Sequence, residues 1–132
     1  MMIYMGLGDV SMPNTVIDYY NKVERVTGGA GRASEFARLF LLPGVDHCSG
    51  GPGADQVDYL GYMENWVENG TPPDVLVATH SENVVESGVS VRRPAFSRPV
   101  YPYPAYSKYR GTGDPTKFES FERAMPEQLR GE

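Results

Sequence analysis

Residues 36 to 42, FARLFLL, are apolar at every position except Arg38 and end abruptly in Pro43-Gly44. A half-exposed strand would alternate polar and apolar residues; a short unbroken run predicts a strand, Phe36 to Leu42, covered on both faces. Cover on both faces requires helices above and below the sheet. The chain therefore needs layers, and the rest of the sequence can be read for them.

The flanking segments supply candidates. Met2 to Met5 reads as a short apolar strand closed by Gly6-Leu7-Gly8-Asp9. After Pro13, the residues Val16, Ile17, Tyr19, Tyr20, Val23 and Val26 follow the helical period, with Thr15 as a possible cap and Gly28-Gly29 as the stop. Asp55 opens a second predicted helix, with Leu60, Met63, Trp66 and Val67 on one face, Gly70 at its end and Pro72-Pro73 beyond. Val75 to Thr79 is a third strand candidate. From Val89 onward, Arg93-Pro94, Arg98-Pro99 and YPYP suggest an extended segment lying over a surface, and the last dozen residues a frayed tail or short helix. Strand and helix alternate, so the expected class is α/β with a short, mostly parallel sheet. Three strands and two clear helices are few for such a sheet. Its open edge invites pairing with another chain, and self-association is expected.

Composition narrows the function. The 132 residues carry 12 basic and 17 acidic side chains, a net charge of -5, and form no basic stripe for a nucleic acid partner. No apolar run approaches the roughly 20 residues of a membrane helix. Met1 to Met5 is too short for the apolar part of a signal peptide, so the chain as written reads as soluble and unexported. The single cysteine, Cys48, excludes an internal disulfide and any multi-cysteine metal site, though not a bridge to another chain. Neither a metal nor a cofactor is expected.

Asp9 and His47 carry the chemistry. Each follows the end of a predicted parallel strand, on the side where sites assemble in open α/β sheets. A carboxylate that holds one imidazole nitrogen leaves the other free to take a proton. The same residues also fit plainer roles, Asp9 as a turn or capping residue and His47 as a solvated loop histidine. His80, among Ser, Glu and Asn, reads as part of a solvated polar loop. Tyr59 and Trp66 read as core. RPVYP holds a P-x-x-P that polyproline-binding domains recognise, a short pattern frequent by chance.

LPGVDHCSGGPG, followed by WVENG, resembles the histidine-bearing segment of the tannase and feruloyl esterase family. Upstream, YMGLGDVSMPNTVIDYYNKV is similar to that family's acid segment; downstream, RPVYPYPAYSKYRGTGD is similar to its closing run. The resemblance spans roughly residues 3 to 114; residues 1 to 114 are taken as a C-terminal α/β-hydrolase-like portion and 115 to 132 as a charged tail. It implies the carboxyl-terminal part of a serine esterase of partial three-layer α/β-hydrolase fold, with Asp9 as triad acid and His47 as triad base. Cys48 corresponds to the cysteine that in the family bonds beside the nucleophilic serine. The resemblance also implies export, which the absence of a signal leaves undecided.

The departures are equally specific. The family's glycine-cysteine-serine-x-glycine segment and its lid with a calcium site are absent from the sequence. Met5 stands at a usual histidine, and Tyr101 at the cysteine of C-P-Y-P. Ser49 and Ser11 lie near His47 and Asp9, but neither belongs to a G-x-S-x-G elbow, and turn hydrogen bonding is the expected role of both. The expectation is thus a phenolic ester hydrolase only when a serine-bearing segment complements the chain. The competing expectation is a non-catalytic remnant, or a small binding module that dimerises through its sheet edge.

Overall fold

The computed structural model describes residues 1–9 and 12–127. Strand β1 (Met2–Gly6) leads to helices α1 (Pro13–Thr27) and α2 (Ala30–Phe36), then to strand β2 (Arg38–Leu42). Helix α3 (Tyr59–Asn69) precedes a long hairpin of β3 (Leu76–Glu86) and β4 (Val89–Val100). Two short strands, β5 (Tyr106–Tyr109) and β6 (Phe121–Ala124), close the described chain. The class is mixed α/β. Parallel pairing is confined, among the described residues, to β1 and β2, in the register Met2–Arg38 through Gly6–Leu42.

The apolar run behaves as its composition requires. Leu39, Phe40 and Leu42 of β2 are all buried, and they serve two separate clusters. Phe40 and Leu42 pack with Val45, Ala54, Leu76, Ala78 and Val100, while Leu39 packs with Tyr20 and Ala37 on the opposite face. Tyr20 of α1 donates from its hydroxyl to the Ala37 carbonyl at 3.0 Å, tying helix to strand. Arg38, the one charge in the run, is largely buried, its side chain 12% exposed, and is supplied with partners. It pairs with Asp74 at 2.6 Å, donates to the Pro73 carbonyl at 2.7 Å and lies over the Trp66 ring.

Several sequence expectations are corrected. Helix α1 starts at Pro13, a residue preorganised for a first turn, and Thr15 caps nothing. Its stop at Gly28 stands, in the left-handed region at φ 95°. Residues 30 to 36, expected to lead into and begin the strand, form α2 instead, so β2 starts at Arg38. Helix α3 is capped by Asp58, whose carboxylate accepts from the Gly61 amide at 3.0 Å, and not opened by Asp55. The helix is rotated from its expected face. Leu60 and Val67 are exposed, while Tyr59 and Tyr62, larger and half-buried, pack on the core.

The third strand is also longer and differently paired. β3 runs from Leu76 to Glu86, antiparallel to β4, with Leu76 opposite Val100. Ser87 and Gly88 make the tight turn with φ 51° and 79°, both positive, as a two-residue hairpin of the twisted ribbon demands. Pro94 and Pro99 sit in β4 because each strand of a two-stranded ribbon has an edge where a missing amide costs no ladder bond. Pro99 and Val100 are buried, so the first half of the P-x-x-P is turned into the protein, while Tyr101 and Pro102 are half-buried. Phe121–Ala124 pairs with Tyr106–Tyr109 and is no frayed tail; residues 128–132 lie outside the described chain.

Candidate acid–base site

Two segments meet at the carboxyl ends of β1 and β2. The amide of Leu7 donates to the Leu42 carbonyl at 2.9 Å and that of Gly8 to the Val45 carbonyl at 2.7 Å, which extends the parallel pairing past the strand ends. The approach is so close that a Cβ on Gly6 would stand 1.7 Å from the Asp46 carbonyl oxygen. Glycine at position 6 is therefore what lets the two loops touch.

That contact brings Asp9 beside His47. His47 Nδ1 is in hydrogen-bond contact with Asp9 Oδ2. The environments differ sharply: the Asp9 side chain is 8% exposed, that of His47 62%. A carboxylate accepts only, so it favours the tautomer that carries a proton on Nδ1. Nε2 is left for other chemistry, and among the described residues nothing hydrogen-bonds to it.

The loop that carries His47 is held at both ends. Gly53 donates from its amide to the Gly44 carbonyl at 2.8 Å, closing a ring around residues 44 to 53, and Asp46 donates likewise to the Gly50 carbonyl at 3.2 Å. Asp55, expected to open a helix, accepts from the Gly50 amide at 2.8 Å instead. His80 donates from Nδ1 to the Gly53 carbonyl at 2.7 Å and stacks on Phe96 with ring centroids 4.8 Å apart. His80 is thus half-buried in β3, contrary to the solvated loop expected of it, because β3 continues past Thr79. Sequence reasoning missed both supports; the alternation VVE-SG-VSV across a turn dipeptide was the available signal for the strand that bears His80.

Nearby, Tyr4 of β1 stacks on Tyr59 of α3 at 3.9 Å between centroids. Burial raises the pKa of the Tyr59 phenol, with Tyr4, Asp55 and Cys48 adding to the effect. Cys48 is exposed and a free thiol. Ser49 is exposed in the same loop, and Ser11 lies outside the described residues. Among the described residues no three His, Cys, Asp or Glu side chains cluster as metal ligands, and no helix is long and apolar enough to cross a membrane.

A family profile described as tannase and feruloyl esterase matches residues 1–124. The chain is 39% identical over 126 residues to a mono(2-hydroxyethyl) terephthalate hydrolase of Piscinibacter sakaiensis, covering 96% of this chain and 20% of that protein. It is 35% identical over 127 residues to a probable feruloyl esterase of Arthroderma benhamiae, covering 94% of this chain and 22% of that protein. Among solved structures, an esterase from Aspergillus oryzae superposes with a TM-score of 0.76 at 26% identity, over 93% of this chain and 27% of the other. Feruloyl esterase B from the same species shares the fold, with a TM-score of 0.72 at 22% identity over 93% of this chain and 26% of the other. The chain thus spans about a fifth to a quarter of the length of the proteins it matches.

Proposed function

Because the chain belongs to the tannase and feruloyl esterase family, we propose that it is the acid–base portion of a serine-type carboxylic ester hydrolase. In this reading β1 and β2 are two strands of an α/β-hydrolase-like three-layer arrangement, with Asp9 and His47 as acid and base of its triad. The observation that carries it is the contact of the sheltered Asp9 carboxylate with Nδ1 of an otherwise exposed His47.

The chemistry follows from that orientation. His47 Nε2 takes the proton of a serine hydroxyl as its oxygen attacks the ester carbonyl, and Asp9 stabilises the imidazolium that results. The same nitrogen returns the proton to the leaving alcohol. Water then enters by the same route in reverse and releases the acid from the acyl-serine. The sequence holds no G-x-S-x-G elbow, so the nucleophile and its oxyanion donors come from a polypeptide segment outside these 132 residues. Esters of phenolic acids are the proposed substrates, in line with the names that relatives carry.

The test is complementation. The remaining part of the Aspergillus oryzae esterase, carrying its own nucleophile, is joined to this chain and assayed on a phenolic ester. Hydrolysis that appears only in the joined protein and disappears in His47→Ala is expected. Hydrolysis indifferent to His47→Ala sinks the proposal.

One observation favours a second reading. The outer edge of β2 is covered, with Tyr103 donating to the Leu39 carbonyl at 2.7 Å and Pro102 bridging Phe40. Among the described residues β1 has no partner on its other side. That edge, Met2 to Gly6, bears no charge that would repel a second copy, and Tyr4 within it is exposed. In this reading the chain dimerises through β1 without catalysis. Sedimentation over a range of concentrations decides it: a dimer that Tyr4→Lys weakens supports the edge, and a monomer throughout removes it.

A further inference from the structure

A separate hollow of about 380 Å³ lies on the inner side of the His47 loop, between that loop and the strands β4 to β6. Its walls are formed chiefly by Pro43 and Pro52 of the loop, Phe96 and Val100 of β4, and Phe121 of β6. Arg98 is the single charged side chain among its lining residues. Neither Asp9 nor His47 lines it.

Arg98 is half-buried and held between two rings. Its guanidinium carbon lies 4.6 Å from the ring centre of Phe96 and 4.4 Å from that of Phe121, so two aromatic faces fix its plane. One nitrogen donates to the Ser97 carbonyl at 2.8 Å. Arg38, Arg93 and Arg110 form ion pairs, whereas among the described residues no carboxylate pairs with Arg98. Desolvation lowers its pKa, the mark of a charge whose hydration has been partly removed without a counter-ion in return. A guanidinium presents five N–H donors in a planar fork, and that fork matches a carboxylate edge.

We propose that this hollow binds a small carboxylate carried on an apolar body, with Arg98 as its counter-charge. The acid group meets the free edge of the guanidinium, and the body lies against the prolines and the two phenylalanines. The volume falls within the range of roughly 300 to 1,000 Å³ usual for small-molecule pockets. A hollow of that size holds a small acid whole, which makes a free small acid the occupant rather than an aspartate or glutamate of another polypeptide. The proposal is independent of the ester hydrolase reading, since it uses no residue of the acid–base pair.

Benzoate and benzamide, equal in shape and different in charge, are the probes. Each is titrated into the 15N-labelled full chain and followed by amide chemical shifts. Benzoate is expected to shift Phe96, Arg98 and Phe121 and to bind about tenfold or more tighter than benzamide, the ratio that one charge-assisted hydrogen bond provides. Arg98→Gln is expected to bring the two affinities together, and Arg98→Lys to keep benzoate ahead. The comparison within the unaltered chain stands even if a variant folds poorly. Equal affinities, shifts elsewhere, or no response to benzoate at millimolar concentration overturn the proposal. So does saturation of the same amides only by a glutamate-bearing peptide, which would assign the hollow to a polypeptide.

Discussion

His80 donates from Nδ1 to the carbonyl of Gly53, reaching back 27 positions from β3 to the loop that carries His47. The same ring stacks almost parallel on Phe96, at 14° between planes. His80→Phe keeps a ring for the stack and removes the donor. The expected loss is about 0.5–1.5 kcal/mol of stability, the usual net value of one hydrogen bond. Urea denaturation measures it, and hydrogen exchange at the Gly53 amide should quicken at the same time. Unchanged exchange would mean that the loop does not depend on His80.

Gly6 controls the approach of the two site loops. A Cβ there meets backbone, the Asp46 carbonyl at 1.7 Å and the Val45 carbonyl at 2.4 Å, so no side-chain rotation relieves it. Gly6→Ala is expected to force β1 and the His47 loop apart at a cost of about 1–3 kcal/mol or more. Its signature is loss of the Asp9–His47 contact in a protein that retains its helical circular dichroism. Gly29→Ala, where the added carbon meets nothing but the backbone sits at φ 112°, tests backbone strain without touching the site.

The Tyr59 phenol gives a pH dependence with a definite sign. Its folded-state pKa is raised above the ordinary 10.0, by burial first. Below pH 10 both folded and unfolded chains keep the proton, and the contribution to stability is fully present. Above it the unfolded chain ionises first, so stability falls as pH rises toward the folded-state value. Denaturation midpoints measured on the alkaline side should decline with pH, and Tyr59→Phe should flatten that decline.

Phe40 is fully buried at the centre of the larger apolar cluster. Phe40→Ala is expected to cost about 3–5 kcal/mol, a large share of what a domain of this size possesses. Calorimetry should show a marked fall in melting temperature or no cooperative transition. A loss below 1 kcal/mol would mean that β2 is not the centre of the core.

Much of this arrangement is legible in the sequence, for a physical reason in each case. β2 announces itself because both of its faces are covered, leaving no position for a polar residue except Arg38 at its start. The meeting of Asp9 and His47 follows from two parallel neighbours whose chains both continue from their carboxyl ends. The distal half of the β3–β4 ribbon was hidden because residues 82 to 90 are exposed on both faces, so no burial pattern marks them. Helix α2 was hidden because its seven residues bury only Ala33, too little for a helical period to show. In α3 the rings of Tyr59 and Tyr62 outweigh Leu60 and Val67 in apolar area and turn the helix toward themselves. Loop supports such as His80 and Asp55 depend on contacts distant in the chain or internal to the loop, and composition alone does not reveal them.

The central claim is that Asp9 holds His47 by Nδ1 and leaves Nε2 free to work. The most direct measurement is the tautomer of the neutral His47 ring, read from its two 15N chemical shifts in the unaltered chain and in Asp9→Asn. The proton is expected on Nδ1 in the first, with a shift of the population toward Nε2 in the second. A ring protonated on Nε2 in the unaltered chain, indifferent to the change at Asp9, would contradict that claim.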